Sequence, residues 1–105
     1  MNIEFDKEYL RELYADGKTA DKRHRYQPEV VRGYQKTVFI LSSANCIADL
    51  FRFNSLNYEA LQGDKEGISS VRINRKYRLE FTVREAMGEQ IVTFCRLLDI
   101  SNHYK

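Results

Sequence analysis

Four side chains in the second half of the chain offer the chemistry that metal-free cleavage of an RNA phosphodiester needs. The carboxylate of Glu59 can take the proton of a 2′-hydroxyl, and the imidazole of His103 can protonate the departing 5′-oxygen. The guanidiniums of Arg72 and Arg78 can stabilise the negative charge that grows on phosphorus. Spacing alone does not select this chemistry, because Glu59 is also typical of an exposed strand and His103 of a solvated chain end.

The elements that must position these residues alternate with the period of β-strands. The predicted strands span residues 58–61, 68–74, 77–84 and 91–100, with a glycine-bounded turn at 63–67. The last strand is apolar on both faces, which indicates a neighbour on each side. Because the sequence neighbours of Arg72 and Arg78 are apolar, we expect both guanidiniums to project from the open face of the sheet.

The first half of the chain has the three-to-four-residue period of helices. Ile3 and Phe5 predict a short strand, after which Asp6 is expected to cap a helix that ends at Gly17. Pro28 fits the first position of a second helix. The apolar stripe expected on that helix comprises Val31, Tyr34, Val38 and Leu41, widened by Phe39 and Ile40. A shorter helical segment is expected at 46–52. This order predicts an α+β fold, with N-terminal helices packed on one face of a C-terminal antiparallel sheet.

Composition narrows the class of protein. A chain of 105 residues with 43% hydrophobic and 30% charged residues predicts one globular domain over residues 1–105. Two distant cysteines favour free thiols, no cluster has metal-ligand spacing, and no cofactor is implied. The sequence shows neither a signal peptide nor a membrane span, so we expect a cytoplasmic protein without membrane contact.

Positive charge is concentrated between residues 18 and 36, although the net charge is only +2. Lys22, Arg23 and Arg25 surround His24 and precede Tyr26, a mixture of charge and aromatic character that suits a nucleic-acid surface. A solvated loop between two helices explains the same charges equally well. His24 is expected to be a contact residue rather than a catalytic one.

Two segments resemble a known family. Residues 61–74, LQGDKEGISSVRIN, followed by YRLEF at 77–81, resemble the core of RelE/ParE-superfamily toxins. The closing DISNHYK at 99–105 is similar to the ends of YoeB-like and HigB-like members. The resemblance implies the RelE-like microbial ribonuclease fold. It also implies a type II toxin that cuts mRNA on the ribosome, leaving a 2′,3′-cyclic phosphate.

The resemblance assigns roles to individual residues. Glu59 matches a general base and His103 a general acid, with Tyr104 as an aromatic that stacks on a base. Arg72 matches a contact to the scissile phosphate, and Arg78 either a second phosphate contact or a brace of the sheet. Asp99 is a weaker match, to an acidic position near the end of HigB-like members. The residues expected to bind RNA or the ribosome are Lys22, Arg23, Arg25 and Lys65. Gln62 departs from the family's lysine, and Lys105 extends the chain beyond the aromatic.

The partners that the resemblance implies are an antitoxin, the ribosome and mRNA. The antitoxin is expected to be a helix-turn-helix protein of the HigA kind, and operator DNA to be bound only through the toxin–antitoxin complex. Two other functions stay open: a ParE-like inhibitor of DNA gyrase, and a non-catalytic module that binds RNA or the ribosome. Glu59 together with His103 and Tyr104 argues against the ParE-like function, since such members lack the acid–base set.

Overall fold

A five-stranded sheet with two α-helices on one face organises the described residues, 1–102, in a computed structural model. The elements are β1 (Asn2–Phe5), α1 (Glu8–Asp16), α2 (Pro28–Ser43), β2 (Glu59–Ala60), β3 (Ser69–Arg72), β4 (Tyr77–Met87) and β5 (Ile91–Asn102). Short 3₁₀ segments lie at Lys22–His24, Ile47–Arg52, Asn54–Leu56 and Gly63–Lys65. The predicted α+β fold is confirmed.

The sheet has the order β1-β5-β4-β3-β2. The pairs β2–β3, β3–β4 and β4–β5 are antiparallel, as the alternation in the second half predicts. Strand β1 adds a parallel pairing at the outer edge of β5, with Ile3 opposite Cys95, so the sheet is mixed rather than purely antiparallel. Strand β5 therefore has a neighbour on each side, which confirms the inference from its two apolar faces.

The helix ends follow the sequence signals with one exception. Gly17 ends α1 in the left-handed conformation, with φ of 74° and its N–H donated to the carbonyl of Leu13. Pro28 occupies the first turn of α2. The prediction that Asp6 caps α1 is wrong, because Lys7 holds the cap position without a side-chain hydrogen bond. The Asp6 carboxylate instead lies 3.0 Å from a guanidinium nitrogen of Arg96 on β5.

The core lies between the helices and the sheet. Its fully buried side chains come from both layers: Leu10 and Leu13 of α1, Tyr34, Val38 and Leu41 of α2, and Val71, Leu79, Phe81, Cys95 and Leu97 of the sheet. Each large side chain contributes about 1.5–3 kcal/mol through its removal from water. The prediction that Phe39 widens the stripe is wrong, because this ring is 63% exposed on the outer side of α2. Ile40, half-buried, does pack against the core.

Strand β5 carries an irregularity before it ends. Glu80 pairs with Asp99 while Phe81 pairs with Leu97, so one extra residue of β5 lies in a β-bulge. Beyond the bulge, pairing resumes and carries Ser101 opposite Arg78. The bulge therefore shifts by one residue the register in which the last described residues of β5 pair with β4. Within the described range, no helix combines the length and apolar composition that a membrane crossing requires.

Candidate functional site

A polar cleft of about 360 Å³ lies on the sheet face that turns away from the core. Polar strand positions and the 61–65 loop form its walls: Glu59, Leu61, Gln62, Lys65, Ser70, Arg78, Glu80, Ser101 and Asn102. The strand registers explain the convergence, since Glu59 pairs with Ser70, Ser70 with Glu80, and Arg78 with Ser101. Directly paired residues share a face of the sheet, so four strands and a loop deliver their polar groups to one cavity.

Arg78 is buried within this cleft rather than projecting from it. Its residue is only 4% exposed, and its Nε donates a hydrogen bond to the hydroxyl of Ser70. Its Nη2 donates to the carbonyls of Asn57, at 2.6 Å, and Ser70, at 3.1 Å. The expectation of an open guanidinium is therefore wrong for Arg78. The reason is a tertiary contact. The chain before β2 packs over β4 and supplies the Asn57 carbonyl as an acceptor, which the alternation of residues in β4 cannot reveal.

The charge of Arg78 is incompletely matched by the part of the chain that the structure describes. Its Nη2 lies 3.8 Å from Oε1 of Glu59, whose side chain is 51% exposed at the rim. Its buried Nη1 has no hydrogen-bond acceptor among residues 1–102. Burial lowers the pKa of Arg78, with Glu59 acting in the opposite direction and the nearby charge of Arg72 adding to the lowering. A buried guanidinium with a spare donor favours the binding of an anion.

Arg72 occupies a different place from Arg78. It is exposed at the end of β3, opposite Arg78 in the strand register, and is not part of the cleft wall. Its positive charge nevertheless reaches Arg78 and contributes to the lowering of the Arg78 pKa. The expectation of an open guanidinium is met here, since Arg72 is exposed.

Lys65 and Glu80 form an ion pair inside the cleft. The ammonium of Lys65 lies 2.7 Å from Oε2 of Glu80, and Glu80 is buried while the Lys65 side chain is half exposed. Lys65, predicted to bind RNA, is therefore part of the cleft wall and is held by a carboxylate. The sequence does not predict the burial of Glu80, because the 61–65 loop that closes over β4 has no periodic pattern.

His103 and Tyr104 lie outside the described residues. The strand that leads to them does reach the site, since Ser101 and Asn102 of β5 line the cleft. Asp99, the weaker match, is turned elsewhere: its carboxylate accepts a hydrogen bond from the hydroxyl of Tyr9 and lies 3.3 Å from the ammonium of Lys7.

The basic segment is more ordered than a solvated loop. Asp21 caps the 3₁₀ turn by accepting from the N–H of Arg23, and lies 2.9 Å from Nδ1 of His24. The His24 ring stacks on Tyr9, with ring centroids 3.5 Å apart. His24 thus anchors the segment to α1. Lys22 and Arg23 point to solvent from this anchored turn.

Arg25 belongs to a second concavity. This groove of about 800 Å³ lies between the start of α2 and the turn that joins β3 to β4. Its walls include Tyr26, Arg75, Lys76 and Tyr77. The predicted RNA-binding residues therefore divide among three places: the 3₁₀ turn, the groove and the cleft.

Two residues of the site are not identified by any sequence motif. Ser70 accepts from the Arg78 guanidinium, and Asn57 presents its carbonyl from a left-handed conformation with φ of 47°. Asparagine is enriched in that conformation, which is the one signal in the sequence that marks the turn before β2. In the part of the chain that the structure describes, no three His, Cys, Asp or Glu side chains are grouped so that they could hold a metal ion.

Comparison with known proteins identifies the family of this chain. A family model described as the RelE-like toxin of type II toxin–antitoxin system HigB matches residues 3–93. Toxin HigB-1 of Vibrio cholerae serotype O1 is 34% identical over 82 residues, which cover 77% of this chain and 82% of that protein. Both matches agree with the resemblance seen in the motifs.

Solved structures share the fold. The YoeB/ParE toxin from Agrobacterium tumefaciens superposes with a TM-score of 0.57 at 16% identity, covering 99% of this chain and 100% of that one. YoeB in the YoeB-YefM complex from Staphylococcus aureus superposes with a TM-score of 0.54 at 20% identity, covering 99% and 98%. At these identities the likeness concerns the fold alone.

Proposed function

Because this chain belongs to the HigB-like family of RelE-like toxins, the toxin components of type II toxin–antitoxin systems, we propose that it is an endoribonuclease that cuts mRNA on the ribosome. The polar cleft is the proposed active site. The observation that carries the proposal is the buried guanidinium of Arg78, which keeps a donor without an acceptor among residues 1–102 and lies 3.8 Å from the rim carboxylate of Glu59. A phosphodiester bound there would place its 2′-hydroxyl next to a base and its phosphorus next to a fixed positive charge.

The proposed reaction is an internal displacement. Glu59 removes the proton of the 2′-hydroxyl, the 2′-oxygen attacks phosphorus, and the bond from phosphorus to the 5′-oxygen breaks. His103 donates a proton to the leaving 5′-oxygen. The products are a 2′,3′-cyclic phosphate on one fragment and a 5′-hydroxyl on the other, so the atoms balance without water or a metal ion.

The cations would act on the charge that develops at phosphorus. Arg78 is held by Ser70 and Asn57 before any substrate arrives, so it needs little reorganisation during the reaction. Arg72 lies outside the cleft wall on the neighbouring strand and would contact the phosphate from the solvent side. Tyr104 would stack on a base next to the scissile bond.

The exposed cations would hold the larger RNA partner. Lys22 and Arg23 on the 3₁₀ turn present positive charge away from the cleft, where ribosomal RNA can be met, and Arg25 adds its charge at the groove. Lys65 would serve the cleft itself, since it reaches Glu80 and lines the wall.

An antitoxin would hold this activity in check. YoeB of Staphylococcus aureus is found in a complex with YefM. By analogy we propose that a helix-turn-helix antitoxin of the HigA kind binds this chain, and that operator DNA is bound only through their complex.

The test is cleavage of ribosome-bound mRNA in a translating extract, with RNA ends mapped and their chemistry determined. Wild type is expected to give fragments that end in 2′,3′-cyclic phosphate. Glu59→Gln is expected to lower the rate by about 10²–10⁴. The matched control is Glu66→Gln, an exposed carboxylate on the turn before β3 that is not part of the cleft wall.

Other outcomes would decide against the nuclease. Equal rates for wild type and Glu59→Gln would remove Glu59 as the base. Intact mRNA together with DNA breaks in induced cells would favour a ParE-like inhibitor of gyrase. Binding to ribosomes without new RNA ends would leave a non-catalytic module.

A further inference from the structure

We infer that the groove between α2 and the β3–β4 turn is a second RNA site, which binds single-stranded RNA by its phosphates and bases next to the cleft. The inference rests on the proposed function for its setting, although its test does not require cleavage. The groove has a volume of about 800 Å³, more than twice that of the cleft. None of its residues enters the proposed chemistry.

The first argument is charge. Arg25, Arg75 and Lys76 all line the groove and are exposed, while Glu29 is the acidic residue among its walls. Arg25 and Arg75 have no ion-pair partner within residues 1–102. The exposed cations elsewhere in the fold are more often matched, as Arg84 is by Glu4 at 2.8 Å and Arg96 by Asp6 at 3.0 Å. The groove therefore keeps positive charge that residues 1–102 do not neutralise, and a phosphate backbone would complement it.

The second argument is the aromatic floor. Tyr26 and Tyr77 pack edge to face, with ring centroids 5.2 Å apart, so the two rings hold each other in place. The ammonium of Lys76 lies 5.5 Å from the Tyr77 ring. Rigid aromatic surfaces beside cations are what single-stranded nucleic acid uses, because bases stack on the rings while phosphates meet the charges. An acidic peptide would use the cations but would gain little from the tyrosines.

The third argument is position. Tyr77 and Arg78 are consecutive in β4, so one faces the groove while the other faces the cleft. Asn102, which pairs with Tyr77, lies on the cleft wall. The two concavities therefore lie at the same end of the β4–β5 pair, on opposite faces of the sheet. An RNA strand that leaves the cleft at this end would enter the groove, which makes the groove a site for nucleotides that flank the scissile bond.

The experiment measures binding of the wild-type chain to a fluorescent 2′-O-methyl octaadenylate, which cannot be cleaved because its 2′-oxygen is blocked. Arg75→Gln/Lys76→Gln is expected to weaken binding at least about fivefold and to reduce the slope of log affinity against log salt by about 1.4, the value for two lost phosphate contacts. The control Arg32→Gln/Lys36→Gln removes the same charge from exposed positions of α2 outside the groove. It is expected to leave both quantities near wild type.

Stacking is tested with the probe rather than the protein. An abasic probe of the same length and charge is expected to bind the wild-type chain at least about fivefold more weakly. Equal losses from the two double variants would overturn the groove site, as would an abasic probe that binds like the full one. An octaglutamate peptide that displaces the probe at equal concentration would assign the groove to acidic protein segments instead. A chain that binds as expected but leaves mRNA intact would refute the nuclease and keep the groove.

Discussion

Nη2 of Arg78 on β4 lies 3.8 Å from Oε1 of Glu59 on β2, although strand β3 separates the two. The guanidinium crosses β3 at Ser70, to which it is hydrogen bonded through Nε. Ser70 is small and buried, so it leaves room for the arginine to pass. A residue whose backbone belongs to the middle of the sheet thereby delivers its charge to the rim of the cleft.

Arg78→Met should therefore destabilise the fold as well as the site. The variant leaves the Ser70 and Asn57 oxygens without their donor in a buried place, for which we expect a loss of about 3 kcal/mol in the free energy of unfolding. Urea unfolding followed by circular dichroism measures it. Arg72→Met, at the exposed position opposite, should stay within about 0.5 kcal/mol of wild type. Similar losses in both variants would show that Arg78 has no bracing role.

Local signals were sufficient for most of the elements. Gly17 and Pro28 mark the end of α1 and the start of α2 because their backbone preferences act within one turn. The alternation from Tyr77 onward likewise predicts which side chains of β4 reach the core. These signals depend on nearest neighbours along the chain, so a single sequence is enough to reveal them.

Long-range contacts were not predictable in the same way. The burial of Arg78 depends on Asn57, which lies 21 positions earlier. The loss of the expected cap at Asp6 depends on Arg96, which lies 90 positions later. The pairing of β1 with β5 is of the same kind. The convergence of Glu59 and Arg78 was expected from the family resemblance, whereas the buried brace that positions Arg78 required the fold.

Asp21→Asn should lower stability in a way that depends on pH. The hydrogen bond with His24, followed by the N–H of Arg23, lowers the pKa of the Asp21 carboxyl from its usual 3.8. A carboxyl with a depressed pKa stabilises the fold fully above its unfolded value and loses that effect as the pH falls through the folded one. The gap between wild type and variant should therefore be constant from neutral pH to about pH 5 and close below about pH 4.

Urea midpoints at several pH values measure this gap. Asp64→Asn is the matched control, since Asp64 is exposed and has no hydrogen-bond partner in the described part of the chain. It should differ little from wild type at neutral pH. A gap for Asp21→Asn that persists undiminished in acid would argue against an ionised carboxylate as the cap of the 3₁₀ turn.

The two cysteines should react at very different rates. Burial raises the pKa of the Cys95 thiol from 9.0 to about 12, while Cys46 is exposed. At about pH 8 the thiolate of Cys95 should be about a thousandfold scarcer than that of an ordinary thiol, and it is also shielded by β1. Iodoacetamide should add one group to the native protein and two in urea, as mass spectrometry would show. Cys46→Ser should take up none when native; rapid labelling of that variant would mean that β5 is not buried as described.

Tyr9→Phe should loosen the end of β5 while leaving the core filled. The Tyr9 hydroxyl donates to the Asp99 carboxylate and accepts from the N–H of Ile100 at 3.0 Å, so it ties α1 to β5 just after the bulge. Burial, and then the bond to Asp99, raises the pKa of Tyr9, so the hydroxyl stays protonated and able to donate at any physiological pH. Removal of the hydroxyl should lower the free energy of unfolding by about 2 kcal/mol and speed amide exchange at Ile100.

Tyr14→Phe is the matched control, because the Tyr14 hydroxyl has no partner among residues 1–102. Since Ser101 and Asn102 follow directly into the cleft, unchanged exchange at Ile100 in Tyr9→Phe would mean that α1 does not fix the direction of the strand that carries the chain toward His103.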